Sequence, residues 1–177
     1  DYDDDKGIAV FGRIKRLQGI GDLIAFNRVD ESVIETFAKA LAVIHKDLVL
    51  PRAMMVPLPP ELSSDTHEVF LHGDLSVHNV CLTDARPSIV ILDWQMTGIY
   101  GGRSTYGTSY FDLAFFIHNL YTRPIHRYWL RLRADSAAKV FLTSYANVAS
   151  CFDLEDFRRY IRCSFKQLCL HRKHRMR

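Results

Sequence analysis

Between two short apolar runs the chain reads HGDLSVHN, His72 to Asn79, which sets an aspartate and an asparagine five positions apart on one tight loop. Phosphoryl transfer asks little covalent help of a protein. It needs a carboxylate beside the attacking hydroxyl and oxygen ligands for a Mg²⁺ ion that bridges the phosphates. In that chemistry Asp74 would accept a hydrogen bond from the acceptor hydroxyl, orient it and take its proton, and Asn79 would offer its amide oxygen to Mg²⁺. A second carboxylate, Asp93 of LDWQ, ends the apolar run Ser88–Leu92. An acid that terminates a strand is held rigidly yet exposed, which suits a metal ligand, with Trp94 packing beneath it. Each motif alone has an ordinary structural explanation, a buried turn or a capping acid. Their joint order, loop acid, asparagine, hairpin and strand-ending acid, is what points to metal-assisted phosphoryl transfer.

The elements that must carry these loops are legible from spacing. Ser32 and Glu35 have the separation of a capping box, and Val33, Phe37, Leu41, Ile44 and Leu48 recur every three or four residues; this predicts an amphipathic helix over 32–48. Pro51, Pro57, Pro59 and Pro60 stop it, and the polar stretch to His67 reads as a surface connection. Val69–Leu71, Val80–Thr83 and Ser88–Leu92 read as short strands, with Asp84 to Pro87 turning the last two into a hairpin. Gly98 to Ser109, rich in Gly, Ser, Thr and Tyr, reads as a functional loop. Helical patterning resumes at Phe111, continues from around Trp129 to Ala149, and returns after an Asp153 cap from Leu154 to Leu170. Residues 8–17 read as an extended piece. The order predicts an α+β, mainly helical domain whose small sheet holds the polar residues in its turns, rather than an alternating βαβ fold.

Composition excludes several classes. With 177 residues, 48% of them hydrophobic, the chain can bury a core of its own. A formal charge of +3 is too small to imply a nucleic-acid partner, although the charge is polarised: four aspartates lie within Asp1–Lys6, whereas eight Lys/Arg and no acid follow Asp156. That basic end reads as a solvated helix face. Cys81, Cys151, Cys163 and Cys169 form no CxxC pair or Cys/His ladder, which argues against zinc and fits a reducing, cytoplasmic compartment. Apolar runs fall far short of the roughly 20 residues that span a bilayer. The opening DYDDDK resembles a shortened epitope tag, and residues 1–6 read equally as a disordered acidic end, leaving 7–177 as the folded unit.

On HGDLSVHN, LDWQ and YFDLAFFI (Tyr110 to Ile117), the chain resembles the aminoglycoside phosphotransferase and choline kinase superfamily, relatives of protein kinases that act on small molecules. HGDLSVHN stands where the superfamily has HGDxxxxN, and LDWQ and YFDLAFFI stand for its IDFE/IDWE and GxxxxDLA segments. The glutamine of LDWQ, the Gly/Tyr loop and DLAFF look closest to the ecdysteroid-kinase-like (CHK-like) subgroup. The resemblance covers about Val33 to Tyr121. It implies a protein-kinase-like C-terminal lobe whose hairpin carries the catalytic and metal loops, with ATP and Mg²⁺ as cofactors and a hydroxylated small molecule as acceptor. It implies Asp74 as the catalytic base and Asn79 and Asp93 as the nucleotide and metal ligands. His72, Gly73 and Asp112 follow as structural supports, with Asp112 bonding catalytic-loop amides.

Features of the preceding lobe are not found: no GxGxxG, no GxxxxGK[ST], and few residues before Ser32, with Lys15 a poor candidate for the phosphate lysine. The expectation is therefore a C-terminal lobe without the nucleotide lobe, weak as an ATP binder alone and prone to self-association. Tyr100, Tyr106, Tyr110, Trp94 and Trp129 are candidates for an aromatic acceptor pocket, or for core. The rival reading is a catalytically inactive, pseudokinase-like binding module; a third makes the basic C-terminal helix a contact for nucleic acid or an anionic membrane.

Overall fold

The computed structural model describes residues 2–3, 8–9, 17–83, 88–94, 104–122 and 128–175. Its centre is a group of helices built on one apolar stripe. In helix α2 (Glu31–Asp47) the buried positions are Ile34, Phe37, Ala38, Leu41, Ala42 and His45, a repeat that closes one face of a 3.6-residue helix. Phe37 stacks on Phe141 of α4 (Tyr128–Ala146) at 5.3 Å between centroids, and both rings meet Phe116 of α3 (Tyr110–Tyr121) at 5.2 and 4.6 Å. Helix α3 is buried from Tyr110 to Phe116, as the unbroken apolar run demands.

The predicted capping box of α2 is not formed. The helix starts one residue early with Asp30 as N-cap, so Ser32 is already inside it, its carbonyl taking the Thr36 hydroxyl at 2.7 Å. Glu35 reaches forward to Lys39 at 2.6 Å instead of back. Helix α5 (Leu154–Arg175) does use its expected cap: Asp153 Oδ1 accepts the Asp156 amide at 2.8 Å. Phe157 and Tyr160 face inward, and the Tyr160 hydroxyl donates to the Leu62 carbonyl.

Among the described residues the strands form three separate sheets. At the amino end β1 (Tyr2–Asp3) pairs antiparallel with β2 (Ile8–Ala9). The pair β6 (Val80–Thr83) and β7 (Ser88–Ile91) is antiparallel, with β3 (Gln18–Gly19) on the other edge of β6; the turn assigned to Asp84–Pro87 lies outside the described residues. A third sheet runs β4-β8-β5, with β8 (Ser104–Thr108) parallel to β4 (Met55–Pro57) and antiparallel to β5 (Glu68–Leu71).

Two sequence expectations are corrected by this third sheet. The loop assigned to Gly98–Ser109 ends in a central strand from Ser104, and the surface connection before His67 contains an edge strand. Gly107 misled the loop assignment. Its missing side chain is what lets Leu58 approach, since a Cβ there would stand 2.7 Å from the Leu58 Cδ1 atom. Pro57 ends an edge strand, where a missing N–H costs no ladder bond. Helix α1 (Ile20–Ala25), which the sequence patterning did not bring out, is held by burial of Ile20, Leu23 and Ile24 and by Arg133, whose guanidinium donates to the Ala25 carbonyl. Among the described residues no helix is long and apolar enough to cross a membrane.

Candidate active site

His72 to Asn79 is the crossover from the third sheet into the hairpin sheet, leaving β5 after Leu71 and entering β6 at Val80. Leu75 and Val77 are buried and anchor the loop from beneath, while Asp74 and Asn79 remain half-buried and His78 exposed. Gly73 has φ +78°, the left-handed region that a glycine enters without penalty. The turn is thereby tight enough to bring Asn79 back onto Asp74. The Asn79 Nδ2 group donates to the Asp74 carbonyl at 2.9 Å and to Asp74 Oδ2 at 3.0 Å. This engages the nitrogen end of the amide and leaves Oδ1 as the end available to a cation.

One imidazole joins this loop to the second acid. His72 is buried; its Nδ1 accepts the Asp74 amide at 3.1 Å and its Nε2 donates to the Leu92 carbonyl at 2.7 Å. A ring that accepts at Nδ1 and donates at Nε2 is a neutral imidazole of defined tautomer. The Leu92 amide in turn donates to the Asn79 carbonyl at 2.8 Å. Leu92 is thus bracketed by both ends of the catalytic-type loop, and the next residue is Asp93. Asp93 is exposed and left-handed at φ +56°. Aspartate tolerates that region better than most residues, yet at a cost, and the bend turns its side chain off the line of β7. Trp94 does not lie simply beneath it. It packs on the His72 ring at 4.9 Å and on Phe70 at 5.8 Å, with its indole N–H on the Ile91 carbonyl, and so clamps His72 in place.

Asp112 is wholly buried in the first turn of α3. Its Oδ2 accepts the His72 amide at 2.7 Å and its Oδ1 the Gly73 amide at 2.9 Å. Behind it His45 Nε2 donates to Oδ2 at 3.2 Å, and His45 Nδ1 meets the Tyr145 hydroxyl at 2.8 Å. Burial pushes the Tyr145 phenol well up, against a smaller lowering effect of the neighbouring Ser109 side chain. His72, Gly73, Asp74, Asn79 and Asp112 are thus joined by hydrogen bonds, and Asp93 adjoins them in the chain through Leu92. His45 and Tyr145 were missed, although His45 falls on the buried stripe of α2 at the spacing that Ile34, Phe37, Ala38, Leu41 and Ala42 set.

The aromatic candidates that the structure describes have different surroundings. Tyr110 is core against Phe152, Phe157 and Tyr160, Tyr106 lies under the Arg52 guanidinium at 3.8 Å, Trp129 is half exposed, and Tyr100 lies outside the described residues. Among the described residues no cluster of three or more His, Cys, Asp or Glu is arranged to hold a metal.

A small α+β domain with an HGDxxxxN crossover braced by a buried helix acid is an arrangement consistent with a kinase-like fold. Residues 31–145 match the model of the phosphotransferase enzyme family. That match takes in more than half of the sequence, so the chain belongs to the phosphotransferase enzyme family, within the aminoglycoside phosphotransferase and choline kinase superfamily that the motifs resemble. No curated protein matches the chain.

Proposed function

We propose that this phosphotransferase transfers the γ-phosphate of ATP to a hydroxyl group of a small molecule, with Asp74 acting on the acceptor and Asn79 and Asp93 holding Mg²⁺. The observation that carries the reading is the His72 imidazole. Through one ring the backbone of Asp74 and the residue preceding Asp93 are bonded together, so the acceptor acid and the metal acid share a fixed frame. Phosphoryl transfer depends mostly on such positioning and on electrostatic stabilisation.

Asp74 would receive the acceptor hydroxyl at its half-buried carboxylate, orient the oxygen and hold its proton as transfer proceeds. Asn79 aligns that carboxylate through its Nδ2 group. The donor set offered to a cation, an amide oxygen and an exposed carboxylate, is hard and oxygen-only, which fits Mg²⁺ and leaves positions for water and phosphate. When bound, the ion would neutralise phosphate charge. Asp112 holds the loop amides, and residues 7–177 act as the lobe carrying acceptor and metal groups. The glutamine in LDWQ favours the CHK-like subgroup.

The test is ADP release from Mg-ATP across a panel of sugars, amino alcohols and sterols, with Asp74→Ala as control. Acceptor-dependent release abolished by the substitution is expected. Nucleotide binding without consumption on any acceptor would instead make the chain a binding module.

A further inference from the structure

The stripe of α2 that faces the core is apolar except at His45. Three helices meet there. His45 sits in the last turn of α2, Tyr145 near the end of α4 and Asp112 in the first turn of α3, with relative exposures of 4, 2 and 0%. An apolar residue at position 45 would fill the same space without any polar group to satisfy, so the pair has a task that packing does not supply.

We propose that His45 and Tyr145 are positioning residues that aim the Asp112 carboxylate at the amides of His72 and Gly73, and so fix where Asp74 stands. The geometry is independent of the proposed reaction; only its kinetic consequence rests on that reading. A carboxylate only accepts, so all three of its partners donate: the His72 amide and His45 Nε2 on Oδ2, the Gly73 amide on Oδ1. With Nε2 donating, a neutral His45 ring has Nδ1 left as acceptor for the Tyr145 hydroxyl. Tyr145 therefore selects the tautomer that can donate to Asp112. Without that donor the carboxylate would be held only by the loop it is supposed to hold, and rotation about its own Cβ–Cγ bond would release one amide. Gly73, left-handed at φ +78°, would then lose its tether, and His72 with it. Since the Asp74 amide rests on His72 Nδ1, the displacement reaches the acceptor acid.

Tyr145→Phe is the decisive variant because it removes one hydroxyl and keeps the ring on Phe152. Amide hydrogen exchange of the full chain, resolved by NMR, is expected to quicken about ten-fold at His72 and Gly73, the loss of one buried hydrogen bond. The amides of Leu71 and Val80, in the flanking strands, should stay near their original rates. His45→Leu should act in the same direction, and His45→Gln, which retains a side-chain N–H, should restore slower exchange. Equal acceleration at all four amides, or none, would overturn the proposal and leave the pair as core filling. In Mg-ATP turnover Tyr145→Phe should lower kcat about ten-fold with the nucleotide KM unchanged; a KM effect alone would also overturn it. A native chain with no turnover would count against the phosphotransfer reading only, since the exchange measurement still decides the role of the pair.

Discussion

At the scale of single residues, Asp74 and Asp93 are both acids beside His72-bonded backbone, and the proposed reaction gives them different work. Asp74 is half-buried and tied to Asn79 Nδ2, so it is suited to orient one hydroxyl. Asp74→Asn should lower turnover about 10²- to 10⁴-fold, the usual range for a general base. Nucleotide affinity, measured by calorimetry, should hardly change, and equal loss of both would move Asp74 to the metal. Asp93 is exposed at a left-handed bend and is suited to an ion. Asp93→Ala should raise the Mg²⁺ concentration needed for nucleotide binding, because an anionic ligand is gone. A Mg²⁺ titration that superimposes on the original would remove it from the metal site.

At the scale of elements, the N-terminus of α3 functions as a buttress for the crossover loop. The buried amides of His72 and Gly73 have the Asp112 carboxylate as acceptor, and a buried donor stripped of its acceptor carries its full desolvation penalty uncompensated. Asp112→Ala should therefore destabilise the fold by about 3 kcal/mol, seen as a lower urea midpoint at unchanged slope. A wild-type midpoint would reduce Asp112 to a residue favoured by the helix dipole. Trp94, the residue after Asp93, belongs to the same scaffold: its indole packs on Phe70 of β5 and on the His72 ring.

At the scale of the whole molecule, Tyr145 and Tyr160 are buried in the helical core and Tyr121 is partly buried at its edge. Burial first, then the hydrogen bond to Asp135, pushes Tyr121 up to about 12 from 10.0, and burial pushes Tyr145 and Tyr160 up further. A group whose folded pKa lies above its unfolded value contributes stability that is complete below the unfolded value and is lost as pH rises through the folded one. Stability should hold up to about pH 10 and then fall as pH passes 12, the span that Tyr121 defines. Melting temperatures across the alkaline range, with tyrosinate absorbance followed in parallel, check this. Phenols that ionise near 10 in the folded chain would contradict it.

What the sequence determined by itself was local. The HGDLSVHN loop, the strand-ending acid and the helix periods are runs of neighbouring residues whose chemistry and spacing are complete within a few positions, and α2, α3, β6 and β7 lie within a residue or so of where those patterns put them. The family resemblance rested on the same runs. Only the tertiary structure decided which distant groups meet. His45 stands 67 positions from Asp112 and 100 from Tyr145, and no local period links a histidine to partners on two other helices. Strand β8 is a similar case: Gly107 reads as a loop breaker until Leu58 is seen to need the space, and its two partners come from opposite directions. Propensity sees a residue and its neighbours. The bracing of the loop depends on burial, where an acid with three donors is stable and the same acid in water would need none.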